Sequence, residues 1–440
     1  MQTCDPQALL RAGGMSRFQV GIIGTCVLLA GLDGFDVLVV AYTASALAEE
    51  WALSPSALGG IFSVGLAGMG VGAVANGPIA DKVGRRPAVL ICLFILMTGM
   101  PLAAMASSAQ QFTAARFFTG LGIGGMLANL NIIAIEYSSD RRRKLSVAFM
   151  TLGYPIGASL GGVATAYLLA AFNWRAAYWF GAVVALALLP LAWRRIPESL
   201  DYLMVRRPHG TLEKVNAVLA RLGYPFVDAL PVQTKSENNG VRLRELLGPE
   251  HLGRIVAASV AYFCVMMTVY FLLSWTPRTL TALGFSATDG ISASMLMNIG
   301  GAIGCALYGL FAGALGARRL AVFFTLGLGV TGTAFGFAPA VGSLLLMAAL
   351  VVGLFLHPSI TVLYALVPES LPPAIRTTGT GLAMSVGRAG AATGPALAGL
   401  LIEAGWSRPA YFAALALPMI LATLSLLWIR PVHQATPTLR

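Results

Sequence analysis

The chain has 440 residues, of which 57% are hydrophobic and 11% are charged. Because charged residues make up about 25% of an ordinary soluble domain, this composition excludes a soluble globular protein and predicts an integral membrane protein. The net charge of +11 does not indicate nucleic-acid binding, since most basic residues lie in short loops between apolar runs, where they set the orientation in the bilayer. The five cysteines lack the spacing of ligands, so we expect no disulfide, no metal site and no cofactor.

Twelve apolar segments each approach the length of about 20 residues that a helix needs to cross a bilayer. They are residues 18–47, 55–78, 87–107, 112–137, 146–170, 175–196, 254–277, 289–314, 320–339, 342–368, 378–403 and 407–430. The first residues lack the apolar core of a cleavable signal, so the first segment is predicted to insert uncleaved. Because basic residues are rare in the odd-numbered loops between segments, the positive-inside rule places both termini in the cytoplasm.

A polar stretch divides the twelve segments into two groups of six. We therefore predict an N-terminal bundle over residues 1–196, a cytoplasmic linker over residues 197–253 and a C-terminal bundle over residues 254–440. Within the linker, the run from Thr211 to Leu222 has the pattern of a short amphipathic helix at the membrane surface. We expect the linker to connect the bundles without chemistry of its own.

The two halves contain an internal repeat. When RRRKLSVAFMTLGYPIGASLGG is aligned with the stretch that includes RTTGTGLAMSVGRAGAATGPA, Arg142 meets Arg376 and Gly153 meets Gly387. The predicted fold is an all-α membrane protein with twelve transmembrane helices in two pseudo-symmetric six-helix bundles. A substrate site is expected between the repeats, near the midplane of the bilayer.

Two aspartates, Asp33 and Asp36, lie inside the first apolar segment, in the stretch LAGLDGFDVLVVAY. Their i, i+3 spacing places both on one face of a helix. An ionised carboxylate facing lipid would cost about 3 kcal/mol or more, so this face is predicted to point into protein or water. Because neighbouring carboxyl groups can share or exchange a proton, the pair predicts a proton-coupled transporter. The alternative is that one of the two is a static salt-bridge or packing partner.

The loop GPIADKVGRRP, residues 77–87, crowds charges of both signs into a tight turn after the second segment. Asp81 is predicted to contact an arginine or a helix N-terminus in one conformation and to lose that contact in another, and we assign Arg85 and Arg86 to the same gate. The alternative is a simple topology signal from the positive charges. The loop resembles the signature loop of the major facilitator superfamily in both spacing and residue type.

Other motifs resemble the aromatic acid:proton symporters of that superfamily, and they extend over nearly the whole chain. They are DGFD in the first segment, ARFFTGLGIGG in the fourth, GYPIGASLGG in the fifth, IPES after the sixth and GRAG in the eleventh. The resemblance implies the major facilitator fold and the import of carboxylated aromatics, such as benzoate, hydroxybenzoates or protocatechuate, together with protons. It also implies a place in the inner membrane of a bacterium that feeds on such compounds.

Arg116 lies near the outer end of the fourth segment. The resemblance implies that an acid of the first segment meets this arginine, and that protonation of the acid releases the arginine and couples proton binding to rearrangement. The alternative is an arginine whose side chain reaches the outer headgroups. Asp33, Asp36 and Arg116 are therefore the predicted proton-coupling residues.

Arg388 lies some ten residues into the eleventh segment, or about 15 Å along a helix, close to the midplane. A guanidinium group at this depth offers a planar fork that matches a carboxylate. We therefore predict that Arg388 binds the carboxylate of the substrate. The alternative is that it is merely paired to an acid such as Glu403 or Asp36.

Further residues complete the predicted substrate site. Tyr154 holds the place in the fifth segment that Arg388 holds in the eleventh, so its hydroxyl or its ring can meet the substrate. Asn129 is polar at depth in the fourth segment, and the resemblance makes it a ligand candidate. The candidates for walls around an aromatic ring are Phe35, Tyr42, Tyr270 and Trp275. The alternative for these aromatic residues is a role as interface anchors or packing.

Charged residues at the cytoplasmic ends of the fourth and tenth segments indicate an inner gate. Glu136 lies close in sequence to Arg142, and Glu369 lies close to Arg376. We predict salt bridges at these two ends that form and break with the conformation. The alternative is that they are solvated loop charges that contribute little energy.

Other classes of function fit the sequence less well. A drug or organic-anion:proton antiporter that exports hydrophobic compounds is the main alternative, but such exporters carry a Gly-Pro dipeptide in a glycine-rich fifth segment, which here reads GYPIGASLGG. A receptor would signal through residues 197–253, where no signalling domain is recognisable. No nucleophile, metal or cofactor constellation indicates an enzyme, and no nucleotide loop indicates ATP. The predicted partners are a small aromatic carboxylate, protons and the lipid bilayer, with a monomer as the functional unit.

Overall fold

The computed structural model describes residues 10–11, 13–230, 248–372 and 375–429, and every regular element within these ranges is a helix. The helices are α1 (Arg17–Tyr42), α2 (Ala44–Glu50), α3 (Pro55–Val83), α4 (Arg85–Ala104), α5 (Ala109–Glu136), α6 (Arg143–Ala171), α7 (Trp174–Arg195), α8 (Leu200–Arg206), α9 (Thr211–Leu222), α10 (Pro249–Ala282), α11 (Ala287–Leu315), α12 (Ala317–Phe337), α13 (Gly342–Ser370), α14 (Arg376–Glu403), α15 (Arg408–Ala413) and α16 (Ala416–Trp428).

The long helices correspond to the predicted apolar segments, the last of which is divided between α15 and α16. Eleven stretches of the described chain are long and apolar enough to cross a membrane. The helix α14 is not among them, although it has 28 residues, because its many glycines and Arg388 lower its mean hydropathy. Its length and order in the chain match the predicted eleventh span. The predicted all-α membrane fold is therefore confirmed.

The chain divides into two compact units, Met1–Thr43 with Val64–Asn238 and Ala44–Ser63 with Asn239–Arg440. The first apolar segment, predicted to continue as one helix to residue 47, breaks at Thr43, where the first unit gives way to the second. The residues after the break pack inside the second unit, since the Ser45 and Thr281 hydroxyl oxygens lie 2.7 Å apart. This packing explains why α1 ends before the apolar run does.

Glycines bring the backbones of α1 and α6 together in the first unit. A side chain at Gly34 would collide with the carbonyl oxygen of Tyr154, and one at Gly31 would meet Gly157 at 3.5 Å. Small residues at such contacts let membrane helices approach closely and gain van der Waals contact. The close approach fixes the part of α1 that carries both aspartates.

The second unit repeats this device in the equivalent helix pair, α10 and α14. Side chains at Gly390 and Gly394 would collide with the carbonyl oxygens of Phe263 and Met267. Arg388 lies close to these glycines in the sequence, so the close contact fixes its stretch of α14 relative to α10. Both halves therefore use their first and fifth long helices as a tightly packed pair.

Within the predicted linker, the sequence analysis predicts the bounds of one helix. Helix α9 covers Thr211–Leu222, which are the bounds predicted for the amphipathic helix. Its apolar residues Val215, Val218 and Leu219 are buried within the protein, so its apolar face packs on the chain itself.

Candidate functional site

A buried ion pair joins α1 and α5 in the first unit. The Arg116 guanidinium donates to Oδ1 of Asp36 at 2.8 Å and to the backbone carbonyl of the same residue at 2.8 Å. Asp36 is 0% exposed and Arg116 is 3% exposed. The ion pair expected between the first and fourth segments is therefore present, while its role in proton coupling stays a prediction.

The geometry of this pair leaves room for one more interaction. Oδ2 of Asp36 has no hydrogen-bond partner among the described residues, so Arg116 occupies only one carboxylate oxygen. Removing one charge from a buried pair costs about 3–5 kcal/mol, because the other charge is left uncompensated. Protonation of Asp36 is therefore a strong stimulus for Arg116 to rearrange.

Asp33 is also fully buried, but it faces other groups. It lies close enough to Cys92 on α4 for its charge to act on the thiol. Cys92 in turn accepts a hydrogen bond from Nδ2 of Asn76 at 2.9 Å, and Oδ1 of Asn76 accepts one from Asn129 at 2.8 Å. The two aspartates of α1 therefore have separate polar surroundings within the first unit.

Asn129 is buried in this asparagine contact. Its side-chain nitrogen also donates to the carbonyl of Gly125 at 2.9 Å, so both amide hydrogens have acceptors within the protein. The sequence did not indicate its partner Asn76, because the pairing depends on the packing of α3 on α5. A role of Asn129 as a substrate ligand stays a prediction, and in this structure the residue joins helices.

The predicted ring walls lie in helix contacts. Phe35 packs edge-to-face on Phe180, with ring centroids 5.7 Å apart. The Tyr42 hydroxyl donates to the carbonyl of Ala158 at 3.1 Å. Both rings are buried, so the contacts give each a packing role, and a place beside the substrate stays a prediction.

Trp275, in the second unit, is also a buried ring within helix contacts. Its indole nitrogen donates to the carbonyl of Pro395 at 3.0 Å, and its ring packs edge-to-face on Phe62 at 5.8 Å. By contrast, Tyr154 is half-exposed. Among the predicted aromatic candidates of the first unit, Tyr154 is therefore the one whose side chain is partly accessible to a ligand.

Arg388 is half-exposed and forms no hydrogen bond or ion pair with any described residue. The two acids considered as alternative partners are occupied elsewhere. Asp36 pairs with Arg116, and Oε2 of Glu403 accepts a hydrogen bond from the backbone of Ser56 at 2.9 Å. The charge of Arg388 acts instead on the hydroxyl of Tyr364, on α13. Arg388 is therefore a cation inside a helix of membrane-spanning length whose fork is open to an anion.

The signature loop is organised by a residue that sequence reasoning left without a role. Asp81 pairs with Arg85 at 2.7 Å, and Oε1 of Glu198 accepts from the backbone N–H groups of Arg85 at 2.7 Å and Arg86 at 3.2 Å. Gly84 has a φ of 107°, which favours glycine, and a side chain there would collide with Glu198. Glu198 belongs to the IPES motif, which resembles the aromatic acid:proton symporters, and this motif was the feature of the sequence that pointed to it.

Burial raises the pKa of Glu198 above its ordinary value, although three backbone N–H donors and the charge of Arg86 act in the opposite direction. The carboxylate caps the start of α4, where backbone N–H groups have no partners within the helix. Arg86 also donates to the carbonyl of Trp193 at 2.7 Å. The predicted gating arginines therefore lie in a network of the first unit.

The two predicted inner-gate salt bridges do not form in the described part of the chain. Oε1 of Glu136 accepts from the Ser199 hydroxyl at 2.8 Å, while Arg142 is exposed. Arg376 donates to the carbonyl of Leu371 at 3.4 Å, and Glu369 is exposed. Closeness in sequence across a helix end did not fix the direction of these side chains. A gating role for these residues in another conformation stays a prediction.

Comparison with known proteins gives the context for this geometry. The gallate transporter of Pseudomonas putida is 29% identical over 416 residues, covering 94% of this chain and 92% of that protein. The 4-hydroxybenzoate transporter of Pseudomonas aeruginosa is 29% identical over 433 residues, covering 97% and 96%. The xylose transporter XylE of Escherichia coli, in an inward-open conformation, superposes with a TM-score of 0.75 at 17% identity, covering 95% of this chain and 98% of that one; it shows the fold alone.

Residues 23–316 and 258–440 match the Major Facilitator Superfamily. The helical fold and the relatives agree with this match, and they make the protein a multi-pass membrane transporter rather than an enzyme. The chain therefore belongs to the Major Facilitator Superfamily.

Proposed function

We propose that this protein is a proton-coupled symporter that imports aromatic carboxylates by alternating access across the bacterial inner membrane. Both termini lie in the cytoplasm, and the monomer is the functional unit. The observation that carries the proposal is Arg388, a half-exposed cation at depth that forms no ion pair or hydrogen bond with any described residue. Charged residues inside membrane helices are costly and mark substrate pathways, and a carboxylate is the planar partner that a guanidinium binds most strongly.

The substrate class is supported by the relatives, which are transporters of gallate and 4-hydroxybenzoate. Both of these compounds carry a carboxylate on an aromatic ring. A carboxylate at Arg388 supplies the missing negative charge and leaves the ring among the neighbouring side chains of the second unit. The carboxylate, and not the ring, is therefore the part of the ligand that Arg388 recognises.

Proton coupling is assigned to Asp36 and Arg116. A proton on Asp36 removes the negative charge from a fully buried pair, so Arg116 must move or find another partner. Because a ligand shifts a conformational equilibrium only by its different affinity for the two states, this charge change biases the carrier when the proton is bound. Asp33 lies beside the asparagine contact and is the second candidate for the proton.

The proposed cycle follows from these assignments. A proton loads α1 from outside, the carboxylate docks on Arg388, and the carrier turns inward and releases both. With one proton per monoanion the cycle is electroneutral. With more than one, the membrane potential contributes about 2.3 kcal/mol per charge per 100 mV.

The test is uptake of radiolabelled 4-hydroxybenzoate into proteoliposomes, with and without an inward-directed proton gradient. We expect accumulation that requires the gradient, collapses with an uncoupler and is lost in Arg388→Ala. The matched control is Arg194→Ala, which removes an exposed arginine at the end of α7. Uptake that ignores the gradient would make the protein a facilitator, and the absence of uptake would favour another anion or export.

A further inference from the structure

Tyr364 on α13 lies near Arg388 in the second unit, and two tyrosines of the neighbouring helix α10, Tyr262 and Tyr270, lie near Tyr364. The rings of Tyr262 and Tyr364 are in contact, with centroids 6.0 Å apart and planes at 44°. The hydroxyl of Tyr364 is within electrostatic range of both Arg388 and Tyr270. We call these three residues the phenol cluster.

The backbone packing fixes this arrangement. Gly387 packs directly on the Cβ atom of Tyr262, so the residue that follows it, Arg388, lies level with that tyrosine. The close approach of α10 and α14 therefore brings the phenol cluster and the guanidinium group into one region of the second unit.

The hydroxyl groups of the phenol cluster lack hydrogen-bond partners. The Tyr262 side chain is 0% exposed, and its hydroxyl has no hydrogen-bond partner among the described residues. Neither Tyr270 nor Tyr364 forms a side-chain hydrogen bond with any described residue. An unsatisfied buried hydroxyl costs about 1–3 kcal/mol, so the Tyr262 hydroxyl calls for an explanation.

Other buried tyrosines of the chain do satisfy their hydroxyl groups. Each of them contacts a backbone carbonyl or a threonine hydroxyl within 2.5–3.3 Å: Tyr42 with Ala158, Tyr137 with Glu198, Tyr178 with Thr43 and Tyr411 with Thr279. Packing in this fold therefore does not by itself prevent a tyrosine from finding a partner. The tyrosines of the phenol cluster differ from these residues because their hydroxyl groups have no hydrogen-bond partner among the described residues. They also lie in the unit that carries the open guanidinium group of Arg388.

We infer that the phenol cluster binds a ring hydroxyl of the substrate whose carboxylate Arg388 holds, so that the site selects ring-hydroxylated aromatic carboxylates over unsubstituted ones. This inference rests on the proposed function. A phenol hydroxyl both donates and accepts hydrogen bonds, so it can pair with a second phenol in either sense. A site built to bind a hydroxyl discriminates against an analogue that lacks it, because its own polar groups are then left unpaired.

The members of the cluster have different access. Tyr364 is 43% exposed, so an incoming ring meets this hydroxyl first. Tyr262 is buried, and its ring contacts the ring of Tyr364. The alternative role, stacking of the tyrosine rings on the substrate ring, does not need the hydroxyl oxygens. Substitution by phenylalanine separates the two roles, because it removes only the oxygen.

The experiment measures the affinities of 4-hydroxybenzoate and benzoate by competition against radiolabelled 4-hydroxybenzoate, with the full chain in proteoliposomes. We expect the wild type to prefer 4-hydroxybenzoate by about tenfold, the effect of one hydrogen bond. In Tyr364→Phe and Tyr262→Phe we expect this preference to fall towards equality, with the benzoate affinity unchanged. The control is Tyr308→Phe. The ring of Tyr308 packs on Phe324 of α12, and loss of its hydroxyl should leave the preference for 4-hydroxybenzoate intact.

Two results would overturn the inference while leaving the proposed function in place. One is equal affinity of the wild type for both compounds. The other is an equal loss of affinity for both compounds in the phenylalanine variants, which would indicate a packing or stacking role. Failure of the wild type to bind either compound would overturn the proposed function as well, and this outcome is distinguishable from the first two.

Discussion

Arg116 and Arg388 both lie inside helices of membrane-spanning length, one in each unit, and their guanidinium groups have opposite surroundings. Arg116 is 3% exposed and is held by Asp36 through two contacts at 2.8 Å. Arg388 is half-exposed and forms no ion pair with any described residue. We propose that the arginine neutralised by the protein itself responds to a proton, and that the one left open responds to an anion.

On this proposal, the two halves of a duplicated fold have separate tasks. Proton coupling is proposed for the first unit, and recognition of the substrate carboxylate is proposed for the second. The repeat supports the comparison, because Tyr154 stands in the first unit where Arg388 stands in the second. Substitutions at and around the two arginines test whether their roles are as distinct as their surroundings.

The largest effect is expected for Asp36→Asn. The substitution leaves Arg116 charged and buried without a counter-charge, which destabilises the protein by about 3–5 kcal/mol. Thermal unfolding of the detergent-solubilised protein should show a clear fall in the midpoint. The double variant Asp36→Asn/Arg116→Gln removes both charges and should regain part of the loss. A single variant as stable as the wild type would show that the pair contributes little.

A smaller loss of stability is expected for Gly34→Ala, which tests whether the packing of α1 on α6 supports the ion pair. The added methyl group would collide with the carbonyl of Tyr154, and overpacking of this kind costs about 1–3 kcal/mol. The control is Gly24→Ala on the same helix, where an added methyl group meets nothing within 4 Å. Equal unfolding midpoints for the two variants would contradict the proposed close approach.

The sequence predicted the helices well, because a bilayer requires apolar runs of nearly fixed length. It also predicted the pairing of α1 with Arg116 and the bounds of α9. It did not predict the contacts that depend on how helices rotate against each other. Tyr364 gave no local signal, since aromatic residues are common in membrane helices, and Glu136 turned to Ser199 instead of Arg142 because a helix end does not fix a side chain's direction.

Arg388→Lys is expected to weaken binding of 4-hydroxybenzoate by about tenfold, because lysine keeps the charge but loses the planar fork. The measurement is the concentration dependence of uptake, with Arg194→Lys as the control. A lysine variant with wild-type affinity would show that charge alone suffices at this position. A loss as complete as that of Arg388→Ala would instead show that geometry dominates.

The smallest effect is expected at Glu198, outside the membrane-spanning helices. Because burial raises the pKa of Glu198 above its ordinary value, the folded protein binds more protons than the unfolded chain at pH values between the unfolded and the folded pKa of this carboxyl. Stability therefore falls as the pH rises through this window. The slope of unfolding midpoint against pH should be flatter in Glu198→Gln than in the wild type. Identical slopes would show that the pKa of Glu198 does not differ between the folded and the unfolded protein.

The most direct test of the division between the two arginines compares exchange with accumulation in the same proteoliposomes. Labelled 4-hydroxybenzoate is exchanged for unlabelled compound at equal pH, and is then accumulated under an inward-directed proton gradient. Asp36→Asn should keep exchange and lose gradient-driven accumulation, whereas Arg388→Ala should lose both. Two results would contradict the assignment. One is an Asp36→Asn variant that accumulates more substrate with the proton gradient than without it, and the other is an Arg388→Ala variant that still exchanges substrate.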